Sequence, residues 1–257
     1  MINWTNIVDQ DEKHFLKTVV EYNEKAMTQY RMLATAFYNR DWMEGVLSRY
    51  GLWQQLESPT FLGGYPYAER QVLAFGYDET YSICPIVGLK IQVKTGIGKP
   101  LNHRDFLGAL LGLGLKRETI GDIIPTDFGA YIIVEEEIAE FIELELKGIG
   151  RYQKINIERI PFSDMVIEAP KVKVLTGTVS SLRVDAVFAL GFNVSRSEVA
   201  KGIDQERAKV NGQTTKASQL MKVGDIGTLR GQGKMRLAAI NGYTKKERIH
   251  ITIEKYI

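Results

Sequence analysis

Apolar positions recur at helical spacing near the start of the chain. Phe15, Leu16, Val19 and Val20 share one stripe, and Met32, Leu33, Ala36 and Phe37 another, with charged residues between them. Residues 9–56 therefore read as helical, with a further helix over 41–50. Turn-forming Ser58-Pro59 and Gly63-Gly64-Tyr65-Pro66 close this stretch, which must lean on a neighbour to complete a core. From 68 to 162 the pattern changes to a compact α+β unit. Strands are predicted over 72–77, 86–94, 130–134 and 152–160, with helices over 102–115 and 135–147. In the second helix Ile138, Phe141, Ile142 and Leu146 supply the apolar face, and its first glutamates lie at the positive end of the helix dipole. The order β-β-α-β-α-β suggests a small sheet with helices on one face, of ferredoxin-like or RRM-like topology. RNA binding on such a sheet needs strand aromatics. Phe75, Tyr77 and Tyr152 are the candidates, and packing is the better use of each.

Residues 163–179, with Pro170 and the small stretch Thr176-Gly177-Thr178, read as a connector. Beyond it, Leu182, Ala186 and Leu190 stripe one short helix. Ser195 and Glu198 have capping-box spacing for a second, whose inner face is Val199, Ala200 and Ile203. A hairpin runs from 226–230 back through 235–240 around Gly231-Gln232-Gly233. The stretch 248–257 alternates Ile249, Ile251 and Ile253 with His250, Thr252 and Glu254, as a half-buried strand does.

Composition narrows the chemistry. At 257 residues and 44% hydrophobic content the chain can bury real cores, in two or three domains. One cysteine, Cys84, rules out a disulfide framework and a Cys-rich zinc site, and His14, His103 and His250 are too scattered for a metal centre. The opening MINWTNIVDQDEKHF has no basic-then-apolar signal pattern. The most apolar helix-like run, 106–115, reaches about half a bilayer. The expectation is a cytoplasmic protein with no membrane segment, no metal and no cofactor.

Charge is unevenly placed. The whole chain is only +2, but residues 171–257 carry 16 basic and 7 acidic side chains, whereas residues 1–170 carry 17 and 24. An anionic partner, nucleic acid above all, is expected on the C-terminal part alone. Arg183 opens the first short helix there, and Ser195, Arg196 and Ser197 open the next, beside free backbone N–H donors. Lys201 follows one turn later. Arg207 and Lys209 are expected to project together from a strand that ends at Asn211-Gly212, while Lys216, Arg230, Lys234 and Arg236 extend a basic rim across the hairpins. Singly, each is more economically a solubilising charge, and Asn211 is first a turn former.

Catalytic constellations are missing. His103-Arg104-Asp105 and Asp127-Phe128-Gly129 imitate kinase motifs, but Leu110 stands where a kinase needs asparagine. Thr95-Gly96-Ile97-Gly98-Lys99-Pro100 lacks the spacing of a phosphate-binding loop. Consecutive Glu135-Glu136-Glu137 point in different directions on a helix and are a solvated helix start. The chain is read as no enzyme.

The order helix, helix, basic strand and hairpin in 181–236 resembles the S4 RNA-binding domain. The pattern R-L-D, S-R-S and V-x-V-N-G falls on Arg183-Val184-Asp185, Ser195-Arg196-Ser197 and Ala208-Lys209-Val210-Asn211-Gly212. Together with PTFLGGYPYAERQVLAFGY, LNHRDFLGALLGLGLKRETIGDI and FGAYIIVEEEIAEFI, this makes the chain closely similar to the bacterial YlmH family. There are departures: Glu206 stands where S4 domains usually have glycine, and Ala208 where valine is more usual.

The resemblance implies an α+β multidomain chain. An N-terminal helical domain spans 1–60, a central RRM/ferredoxin-like α+β domain 61–165, and a C-terminal S4 (αL-type) RNA-binding domain with a strand extension 176–257. It also implies a cytoplasmic, monomeric, non-catalytic factor, from a cell-division gene cluster. Such a factor binds the large (50S) ribosomal subunit, rRNA and peptidyl-tRNA in translation rescue or quality control. The alternatives are an RNA-modifying enzyme that uses the S4 unit for delivery, and a division-linked interaction protein.

Overall fold

The computed structural model describes residues 4–80, 82–93 and 100–257, and the chain separates into two compact units, 1–167 and 168–257. The loop 95–99 and the last position of the strand expected over 86–94 lie outside the described residues.

In the first unit, α1 (Gln10–Gln29) starts at Asp9, whose carboxylate accepts from the amides of Asp11 and Glu12. Its stripe of Phe15, Leu16 and Val19 is fully buried, as expected. The second stripe is not helical. Residues 33–39 form two short strands, β1 (Leu33–Ala34) and β2 (Tyr38–Asn39), before α2 (Arg40–Arg49) begins at its Asn39 cap. Both strands, and β3 (Thr60–Leu62), pair with β4 (Arg70–Phe75). The segment expected to be wholly helical therefore carries two short strands between its helices. Its central strand, β4, comes from beyond the boundary expected near residue 60. Glu12, buried in α1, accepts from Arg49 at 2.8 Å and from the Tyr50 hydroxyl at 3.0 Å, which ties the two helices together.

The remainder of this unit runs β5 (Ile86–Val93), α3 (His103–Gly112), β6 (Ile120–Thr126), β7 (Gly129–Glu135), α4 (Glu136–Glu145), β8 (Ile155–Ile160). The sheet order is β6-β7-β5-β8, all antiparallel. This is the split β-α-β-β-α-β arrangement of ferredoxin-like domains. The ferredoxin-like arrangement is the one expected, but the element order is not the expected β-β-α-β-α-β. The strand assigned over 72–77 belongs to the other sheet as β4, and β6 was missed. Pro125 lies within β6, which is tolerated because β6 is an edge strand.

Helices α3 and α4 cover one sheet face through Phe106, Leu110, Ala139 and Ile142. The opposite face, where an RRM would stack bases, is covered across Tyr131 and Ile133 by Phe37, Val72 and Met165. Of the candidate aromatics, Phe75 is in the core around α1 and α2, Tyr152 packs on the helix side, and Tyr77 follows β4 next to Cys84.

One polar network holds these two layers together. Asp122 of β6 accepts from the Tyr65 hydroxyl at 2.8 Å and from the amides of Glu69 and Arg70 at 2.7 and 3.2 Å. The Arg70 guanidinium donates to the carbonyls of Phe37 at 2.6 Å, Ile120 at 3.1 Å and Arg117 at 3.3 Å. Burial, and then the neighbouring Arg117, pull the Arg70 pKa down to about 10. Burial pushes the Asp122 carboxyl up.

The second unit begins with β9 (Val172–Val179), where a connector was expected. It continues α5 (Val184–Phe192), α6 (Arg196–Asp204), β10 (Ala208–Val210), β11 (Gln213–Thr214), β12 (Ile226–Leu229), β13 (Gly233–Tyr243), β14 (Ile249–Tyr256). One antiparallel sheet takes all six strands in the order β11-β10-β12-β13-β14-β9. Phe188 and Phe192 of α5 and Val199 of α6 pack on Leu229, Met235, Leu237, Ile251 and Ile253. The expected alternation of β14 holds, with Ile251 and Ile253 buried. Gly227 lets β12 pass under the Phe188 ring, where an added Cβ would lie 2.4 Å from that ring. Among the described residues no helix is long and apolar enough to cross a membrane.

Candidate nucleic-acid interface

The entrances of α5 and α6 meet at one carboxylate. Asp185, in the first turn of α5, is only 8% exposed. Arg183, the cap residue of α5, donates to it from Nε at 3.1 Å and from Nη2 at 3.2 Å. Arg196, the first residue of α6, donates from Nη2 at 2.7 Å. Burial pushes the Asp185 carboxyl up, but the two guanidiniums outweigh it and hold it below its ordinary value. The arginine side chains stay 40% and 52% exposed. Two planar donors are thus fixed side by side with N–H groups left for a second acceptor, an arrangement suited to phosphate oxygens.

Beside them, Ser195 Oγ accepts from the Glu198 amide at 3.1 Å, one half of the expected capping box, and lies 2.9 Å from Ser197 Oγ. Lys201 is exposed on α6. Arg183, Arg196, Ser195 and Ser197 are therefore brought together as the sequence suggested. The role of Asp185 was missed, although its three-residue motif was visible.

The other candidates fall elsewhere. Directly opposed residues of an antiparallel pair project from the same face, and Lys209 faces Thr228, which faces Lys234. Lys209, Lys234 and Arg236 thus share the outer sheet face, away from α5 and α6. Arg236 is engaged there by Glu254 at 2.7 and 3.0 Å, and Lys234 sits 5.6 Å from the Tyr256 ring centre. β10 begins at Ala208, so Arg207 stands just before the strand from which Lys209 projects, and its carbonyl accepts from the Arg230 amide at 2.9 Å. Lys216 and Arg230 are exposed in loops. Asn211 is structural: its Nδ2 donates to Asp225 at 2.9 Å and its Oδ1 accepts from the Ile226 amide at 2.8 Å.

Glu206 takes φ +55°, the left-handed region in which glycine is unstrained. Glu206→Gly is expected to raise stability by about 0.5–1 kcal/mol, the backbone strain relieved less the added unfolded-state entropy. Urea unfolding of the full chain measures this, and a destabilised glycine variant would contradict it.

The kinase-like motifs have structural duties. Asp105 accepts from the Asn102 amide at 2.8 Å in a reciprocal capping box at the start of α3, and the Phe128 carbonyl accepts from the Val93 amide at 2.8 Å. Among the described residues no group of three or more His, Cys, Asp or Glu is gathered for a metal ion.

Comparison with known proteins agrees with the motif resemblance. Residues 96–164 match the family model described as "Putative RNA-binding domain in YlmH". The ribosome-associated protein quality control protein P2 of Bacillus subtilis is 32% identical over 252 residues, which are 96% of each chain. The solved cell division protein YlmH from Streptococcus pneumoniae is 18% identical, with a TM-score of 0.49 over 63% of this chain and 98% of its own. At this identity and coverage, the chain belongs to the YlmH family.

Proposed function

We propose that this protein is a non-enzymatic RNA-binding factor of the ribosome, whose C-terminal unit acts as an S4-type module. The observation that carries the reading is the pair of guanidiniums, Arg183 and Arg196, ordered on the buried Asp185 at two helix entrances. The concentration of positive charge in residues 171–257 supports it. So do the RNA-binding description of the matched family and the ribosome-associated name of the relative. In finer terms, the factor works in the cytoplasm on large subunits, touching rRNA and peptidyl-tRNA during rescue or quality control. Ser195, Ser197 and Lys201 flank the arginines in this surface.

Arg183→Ala and Arg196→Ala test the reading in the full chain. Each should weaken binding to purified large ribosomal subunits and lower the salt-dependence slope by about one unit or less. The single variants are the informative ones, because each leaves Asp185 one cationic partner. The double variant strands a buried carboxylate and loses stability as well. If both single variants bind with unchanged affinity and salt sensitivity, the arginine pair is not the RNA contact.

A further inference from the structure

The β13–β14 hairpin ends in a turn built to hold its shape. Thr244 N donates to the Arg248 carbonyl at 2.8 Å, Glu247 N donates to the Thr244 carbonyl at 2.9 Å, and Thr244 Oγ1 accepts from Arg248 N at 3.1 Å. The Arg248 side chain then reaches across to β9, donating to Thr178 Oγ1 at 3.0 Å and to its carbonyl at 2.7 Å. On this fixed frame Tyr243 is 75% exposed, and Lys245 and Lys246 are exposed beside it.

Register sets where the turn lies. Tyr243 pairs with Ile249, and Ile249 with Val179, the last residue of β9. The turn 244–248 and the segment 180–183 that leads into α5 therefore leave the same end of the sheet. Arg183 lies four residues beyond Val179, in the arginine pair already described. An exposed aromatic ring followed closely by two exposed lysines suits a nucleotide, whose base stacks while its phosphate pairs. It suits an acidic peptide less well, because such a peptide offers no flat partner for the ring.

We propose that this hairpin turn is a second RNA contact, continuing the surface begun by Arg183 and Arg196. Lys245 and Lys246 meet phosphates, and Tyr243 stacks on a base or ribose. The inference rests on the RNA-binding reading above. Glu247 is the one acid in the turn. Arg248 positions the turn through Thr178 and does not itself contact the ligand.

The test uses the full chain and fluorescently labelled bulk tRNA, titrated over a range of salt. Lys245→Ala with Lys246→Ala should weaken binding roughly tenfold near physiological salt and lower the slope by about one and a half to two units. Tyr243→Ser should weaken it at least about fivefold with the slope unchanged, while Tyr243→Phe keeps wild-type binding. These side chains are solvent-exposed, so unfolding midpoints should stay at the wild-type value. If Arg183→Ala weakens binding while the lysine and Tyr243→Ser variants bind like wild type, this inference is overturned and the earlier reading stands. Wild-type protein that fails to bind RNA, or Arg183 and Arg196 variants that bind normally, would overturn the earlier reading and this one with it.

Discussion

Asp185→Ala is expected to destabilise the C-terminal unit by about 2 kcal/mol and to weaken RNA binding several-fold, although the variant gains a net positive charge. The carboxylate accepts three charge-assisted bonds, from Arg183 Nε, Arg183 Nη2 and Arg196 Nη2. Bonds of this kind contribute about 1.5–3 kcal/mol when one partner is charged and buried. The total falls toward the low end because the freed guanidiniums can rehydrate. For RNA, two effects oppose each other. Removing a negative charge near phosphate favours binding by less than about 1 kcal/mol at physiological ionic strength. Releasing two arginine side chains costs about 0.5–1.5 kcal/mol each when they must be ordered again. Ordering wins, so the variant binds more weakly, and its deficit should shrink as salt is lowered. Tighter binding at physiological salt, or an unchanged unfolding midpoint, would rule this account out.

The same carboxylate sets a pH dependence. Its folded pKa lies below the ordinary value, so its contribution is fully present above the unfolded value of about 3.9 and is lost as pH falls through the folded value. The stability gap between wild type and Asp185→Asn should therefore close below about pH 4. A gap that persists into stronger acid would mean that the interaction does not depend on ionisation.

Arg70→Ala should be the more damaging change to the fold, destabilising the N-terminal unit by about 3 kcal/mol or more. It removes the Arg70 donors to the Phe37, Ile120 and Arg117 carbonyls, of which Ile120 keeps a second side-chain donor, from Arg117. Lysine should not rescue it, because one ammonium cannot span acceptors that a planar fork reaches. In urea unfolding of the full chain, the N-terminal transition should shift while the C-terminal one stays. Full rescue by Arg70→Lys would show that charge alone, rather than the fork, matters here.

Some of this was legible in the sequence, for identifiable reasons. α1 and β14 were read correctly because their apolar periodicities, Phe15-Leu16-Val19 and Ile249-Ile251-Ile253, persist over enough residues to fix a period. Residues 32–37 are ambiguous in sequence because a short apolar run fits a helix and a strand equally. β6 was hidden by Gly121, Asp122 and Pro125, which look like turn residues until Asp122 is seen anchoring Arg70. β9 looks like a linker in sequence because the exposed Val172 and Val174 stand among lysines, threonines and a glycine. At the interface the residue types were visible. What spacing could not reveal is that Arg183 and Arg196 share one acceptor 11 residues from the second of them, or that Lys209 and Lys234 lie on another face.

The place of β14 between β13 and β9 has a consequence for how the protein is made. β9 finds its neighbour only across the 70 residues that separate Thr178 from Arg248 at the rim of their pairing. During synthesis from the N-terminus, the first strand of this unit waits without a partner while both helices and four further strands emerge. The helix-entrance arginines can assemble early, since they need only neighbouring turns. The sheet closes late, and contacts so distant along the chain form slowly. A protein built this way completes its C-terminal sheet only after most of that unit has left the ribosome that made it.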